Sequence, residues 1–104
     1  MAVYVYKLAG QRGKPFTYAY PLPWYGLTAD TADELHPFAE SLGLYRQFYR
    51  PYRSDGQETP LVGHYDLDQG ERERAVENGA KAISTREHAK MLRQQAAALG
   101  ITLD

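Results

Sequence analysis

Ahead of three helix-patterned stretches the chain places a short polar residue three positions before a glutamate: Thr31-Ala32-Asp33-Glu34, Asp68-Gln69-Gly70-Glu71 and Ser84-Thr85-Arg86-Glu87. Each has the form of a capping box, in which the first side chain accepts an orphan amide and the glutamate reaches back to the cap's own N–H. Each therefore announces a helix. Leu35, Phe38, Ala39 and Leu42 continue the first at helical spacing as far as Gly43. The second runs to Asn78-Gly79, and Ala89, Leu92, Ala96 and Leu99 carry the third to Gly100. Pro37 lies inside the first and lacks the N–H of an interior turn, so that helix is expected to begin nearer Asp33 or to bend.

The stretches between these helices read as strands. Val3-Tyr4-Val5-Tyr6 is β-branched and aromatic throughout and is expected to be buried on both faces; Trp24 to Ala29, ending at Asp30, is a second strand. Leu44 to Tyr52 and Ala80-Lys81-Ala82-Ile83 supply a third and a fourth. Glycines and prolines make 9–23 a long loop or loose hairpin and 54–63 a mobile loop. Strands alternating with helices predict a single domain over residues 1–104, an α/β fold built on one layer of largely parallel sheet, with about four strands and three helices.

Composition narrows the chemistry. The chain has 104 residues, enough for one core, and 43% of them are hydrophobic. Twelve Lys and Arg against thirteen Asp and Glu leave a net charge of −1, which excludes duplex DNA binding by bulk charge alone. The absence of cysteine excludes a disulfide framework, a thiolate zinc site and a cysteine nucleophile, and suits a reducing cytoplasm. No apolar run approaches the ~20 residues of a membrane span, and Met1 to Lys7 does not read as a leader. A soluble, unprocessed, cytoplasmic protein without cofactor, metal or membrane association is expected.

Every aromatic residue, 9 Tyr, 3 Phe and 1 Trp, lies between Tyr4 and Tyr65. Tyr4, Phe38 and Phe48 suit a core. Tyr18, Tyr20, Trp24, Tyr25, Tyr49, Tyr52 and Tyr65 form a surplus beside arginines or at strand ends, and Tyr45 suits either place. The densest stretch is Tyr45 to Arg53, where Arg46, Arg50 and Arg53 alternate with Tyr45, Phe48, Tyr49 and Tyr52 and no acid intervenes. Arginine forks match phosphate oxygens and tyrosine faces stack on bases. The same residues recur as hot spots of protein interfaces, and they would equally serve a core row flanked by solvated arginines. All three readings stand.

His64-Tyr65-Asp66 is the second candidate. On extended backbone His64 and Asp66 point to one side and could share a ligand, a proton or a metal, and the triplet is placed where α/β sheets gather ligands, at the carboxyl ends of strands. Asp68 already fits the helix cap, which leaves Asp66 without a structural duty. Asp30 is either a third polar group at this edge or a loop acid ahead of the first cap. His36 and His88 lie in predicted helices and carry little weight. No phosphate-cradling glycine motif, Gly-x-Ser-x-Gly elbow or His-Glu-x-x-His occurs.

Met1-Ala2-Val3-Tyr4-Val5, Leu27-Thr28-Ala29-Asp30-Thr31 running into Glu34-Leu35-His36, Leu42-Gly43-Leu44 and His64-Tyr65-Asp66-Leu67 resemble the domain-of-unknown-function family 4031 of actinobacteria and their phages. The likeness extends to Arg74-Ala75-Val76, Gly79-Ala80 and Ser84 to Glu87, and leaves out the loops around 8–22 and 53–62. The resemblance implies an acid at position 6 and a histidine at position 26; here Tyr6 and Gly26 stand instead. A reactive site completed by those groups is stripped in this chain, which favours binding over catalysis.

The leading expectation is a small non-enzymatic protein, phage-encoded in the sense of the resemblance, that captures a nucleotide-like or other anionic ligand or single-stranded nucleic acid. Arg46, Arg50 and Arg53 would hold phosphate, Tyr49, Tyr52 or Tyr65 would stack, and His64 and Asp66 would fix polar edges. A chain this short also suggests a site shared in a homo-oligomer. The alternatives are a module or inhibitor that binds a host protein through the same surface, and a metal-dependent hydrolase or nuclease with His64 as base beside Asp66.

Overall fold

The computed structural model describes residues 2–8, 24–54 and 56–101. All three helix starts are realised. The Thr31 hydroxyl oxygen accepts from the Glu34 N–H at 3.2 Å and opens α1, Ala32–Ser41. Asp68 and Ser84 form complete capping boxes with Glu71 and Glu87 at the heads of α2, Gln69–Glu77, and α3, Thr85–Leu99. α1 starts at Ala32 and continues through Pro37, where the missing N–H forfeits one bond, to the Asp33 carbonyl. Gly100 ends α3 in the left-handed region, at φ 72°.

The strands are β1 Val3–Lys7, β2 Tyr25–Ala29, β3 Arg53–Ser54, β4 Gln57–Glu58, β5 Tyr65–Leu67 and β6 Lys81–Ala82. Four of them form one sheet in the order β5-β2-β1-β6, while β3 and β4 pair separately, starting one residue before the stretch 54–63 expected to be a loop. The sheet is mixed and mostly antiparallel, not largely parallel; of its three neighbouring pairs only β1 and β6 run parallel. The reason lies in the connections. β1 and β2, consecutive among the described strands, pair antiparallel from Val3↔Ala29 to Lys7↔Tyr25. Between α1 and β5 the chain makes an extra pass, in which Arg50 bridges His64 in antiparallel sense, and that pass reverses the direction in which β5 enters the sheet.

Leu44 to Tyr52 is not a strand. Phe48 N–H donates to the Tyr45 carbonyl at 2.9 Å and Tyr49 N–H to that of Arg46 at 3.0 Å, so a 3₁₀ turn at Arg46–Phe48 takes the amides that a ladder would need. Phe48, expected in the core, is 58% exposed on this turn. The predicted loop 9–23, with Tyr18 and Tyr20, lies outside the described residues.

Register divides the sheet into two unlike faces. Residues directly opposite one another share a side, so Val3, Val5, Leu27, Ala29, Tyr65 and Leu67 line one face, which Leu35 and Ala39 of α1, Leu42 at its C-cap and Ala75 of α2 cover to make the core. Phe38 packs at its margin, as expected. The other face carries Tyr4, Tyr6, Gly26, Thr28 and Asp66. Val5 and Tyr6 are both buried, so the centre of β1 is covered on both sides. Among the described residues no helix is long and apolar enough to cross a membrane.

Candidate functional site

The polar face becomes a site because three rows of backbone converge on it. Tyr6, Gly26 and Asp66 stand opposite one another across β1, β2 and β5. His64, two residues before Asp66, falls on the same side, and Arg50 faces His64 across their bridge. Two glycines allow this. At Gly63 a β-carbon would collide with the Arg50 carbonyl, so only glycine lets the Arg50 segment approach. At Gly26 a β-carbon would come within 2.6 Å of the Tyr6 ring, which lies over the bare backbone of β2. Thr28, buried between them, donates its hydroxyl to the Gly63 carbonyl at 2.8 Å.

Asp66 is the hub. One carboxylate oxygen meets His64 Nε2 at 3.0 Å and the other accepts from Arg50 Nε at 2.7 Å. Partial burial works against the charged carboxylate, yet the bonds from His64 and Arg50 and their charges outweigh it and hold Asp66 below its ordinary value. A carboxylate with both oxygens engaged presets its partners. The Arg50 side chain is 66% exposed and spends only Nε on Asp66. Its two terminal nitrogens have no hydrogen-bond partner among the described residues, and neither does His64 Nδ1.

Tyr6 and His88 form the wall behind this hub. The His88 ring, in the first turn of α3, stacks on Tyr6 with centroids 3.7 Å apart and planes 12° from parallel, and Tyr6 meets His64 edge-on at 6.4 Å. Burial, with the nearby Asp66 and Tyr52, pushes the Tyr6 phenol above its ordinary value. Burial, with the neighbouring His64, pulls the His88 imidazole down to about 4. Both rings are therefore neutral at pH 7.

The predicted residues divide between several places. Arg50, His64 and Asp66 come together, and Tyr52, two residues past the Arg50 bridge, adds to the rise of the Tyr6 phenol. Tyr49 and Tyr65 belong to the core instead. The Tyr65 hydroxyl lies 2.7 Å from His36 Nδ1, and the Tyr49 hydroxyl accepts from the Gly63 N–H at 2.7 Å. The His36 and Tyr49 rings meet edge to face at 4.7 Å. Burial of this group, then the Arg46 charge, lowers the His36 imidazole, and Arg46 itself is exposed on the 3₁₀ turn. Arg53 sits in the β3–β4 hairpin, against Glu58 at 3.5 Å. Asp30, at the far end of β2, accepts from the Tyr4 hydroxyl at 3.0 Å and does not join the site. Elsewhere Tyr25 donates to Gln69 at 3.2 Å beneath the Arg72 guanidinium. No group of three or more His, Asp or Glu with metal-binding geometry occurs among the described residues.

Tyr6 and His88 were not among the sequence candidates. The signal for Tyr6 was its alternation within β1, which becomes informative once the pairing with Gly26 is known. For His88 it was the position four residues after the Ser84 cap, one turn above the end of β6.

These features define a small mixed-sheet α/β protein with a carboxylate-centred Arg–His cluster on the polar face of its sheet. The chain belongs to the family of proteins of unknown function DUF4031, whose family model matches residues 15–95. The matched span holds Arg50, His64, Asp66 and His88 and leaves Tyr6 before it. No curated protein and no solved structure matches the chain.

Proposed function

We propose that the protein binds an anionic, nucleotide-like ligand on the polar face of its sheet, with Arg50 and His64 receiving the anionic group and Tyr52 flanking it. The observation that carries this reading is the division of labour at Arg50. Nε is tied to Asp66 at 2.7 Å, which fixes the plane of the guanidinium, and its terminal nitrogens, without a hydrogen-bond partner among the described residues, are offered to a ligand. Single-stranded nucleic acid offers the same phosphate, and a phage protein that sequesters a host nucleotide is one biological form of the idea. Calorimetry over inorganic phosphate, linear and cyclic nucleotides and short oligonucleotides tests it. Arg50→Ala should abolish binding that Arg46→Ala and Arg53→Ala retain; binding weaker than millimolar to the whole panel refutes it.

The His64–Asp66 bond favours a second reading, a hydrolase or nuclease in which Asp66 orients His64 and Nδ1 acts as general base. Hydrolysis with added divalent metal should then vanish in His64→Ala. A protein-binding role, with a host protein or a second copy, now rests on Tyr45 and Phe48, which are 69% and 58% exposed. It predicts a partner or dimer lost in the double alanine variant.

A further inference from the structure

Resting on the anion-binding reading above, we infer that the site takes a tetrahedral oxyanion together with one proton, added at His64 Nδ1. A carboxylate can only accept, so the Nε2···Asp66 contact at 3.0 Å places a hydrogen on Nε2. Neutral His64 therefore presents a bare lone pair at Nδ1, its one remaining ring nitrogen. A lone pair repels an anion. Adding a proton there turns the same atom into a charged donor while the bond to Asp66 is kept.

The surrounding charges point the same way. Among the described residues, the groups that face His64 are Asp66 two residues on, Arg50 across the bridge, Tyr6 of β1 with Tyr52 beside it, and His88 of α3. Arg50 and Asp66 cancel as an ion pair. Asp66 is held in its charged form, Tyr6 in its protonated form, and His88 stays neutral down to about pH 4. Among the described groups, His64 is thus the one whose charging converts a cluster with no net charge into a cationic one, and a dianion is favoured over a neutral or singly charged competitor.

The test is calorimetric titration with sodium sulfate, whose own charge stays fixed across the range, at constant ionic strength. The affinity should rise roughly tenfold or more as the pH is lowered. Binding at intermediate pH in buffers of different ionisation enthalpy should show net proton uptake, and His64→Gln should bind weakly with a flat profile. Sulfate binding that is flat with pH in the wild type, or a slope that persists in His64→Gln, overturns the proton link and leaves the anion reading standing. Absence of sulfate binding at every pH overturns both.

Discussion

His88 makes the fold acid-sensitive in a way that one substitution can isolate. Its imidazole is stacked on Tyr6, and burial, then His64, hold it at about 4, against ~6.5 in an unfolded chain. Because the folded value is the lower one, the unfolded state takes up a proton that the folded state refuses, and stability falls as pH drops from about 6.5 towards 4. At neutral pH nothing is lost. A gap of that size, at ~1.4 kcal/mol for each tenfold change in proton affinity, bounds the effect at roughly 3 kcal/mol. His88 keeps part of its contact with solvent, and screening reduces the expected penalty to about 1–2 kcal/mol. In a domain of this size that is roughly 5–10 °C in melting temperature. His88→Phe keeps a ring on Tyr6 and removes the titration. Thermal melts of both proteins from pH 7 to 4.5 should diverge by that amount in favour of the variant, while the contributions of His36 and Asp66, common to both, cancel. Curves that fall in parallel would refute a buried, neutral His88.

Three other substitutions separate packing from binding. Gly63→Ala drives a β-carbon into the Arg50 carbonyl and should cost about 2 kcal/mol or more in urea unfolding, with loss of the Arg50–His64 bridge. Tyr65→Phe leaves His36 Nδ1 without the hydroxyl 2.7 Å away and should cost about 1–3 kcal/mol in the same assay. Arg50→Ala, at a side chain 66% exposed, should change stability by under about 1 kcal/mol, so any loss of ligand binding in this variant reports the site rather than the fold.

The helices were legible in the sequence because capping is local: Thr31, Asp68 and Ser84 each satisfy an amide three residues away. β1 and β2 were legible from β-branched and aromatic runs. Leu44 to Tyr52 misled for the same reason, since its aromatic content suits a strand while its backbone closes on itself and its Tyr49 is claimed by His36 and Gly63. Strand direction depended on the extra pass through Arg50, a contact sixteen residues from Asp66 that no local pattern encodes. The same holds for the site. His64 and Asp66 share a side by simple alternation, whereas the choice of Arg50 over Arg46 and Arg53, the inward turn of Tyr65, and the arrival of Tyr6 and His88 all follow from register between distant segments.

The most direct measurement is a two-dimensional NMR titration of the arginine Nε–H and histidine side-chain signals with sodium phosphate. Saturable shifts at Arg50 and His64, with Arg46 and Arg53 unmoved, are predicted. Equal drift of all three arginines, or no change at Arg50 and His64, would contradict an anion site built on Asp66.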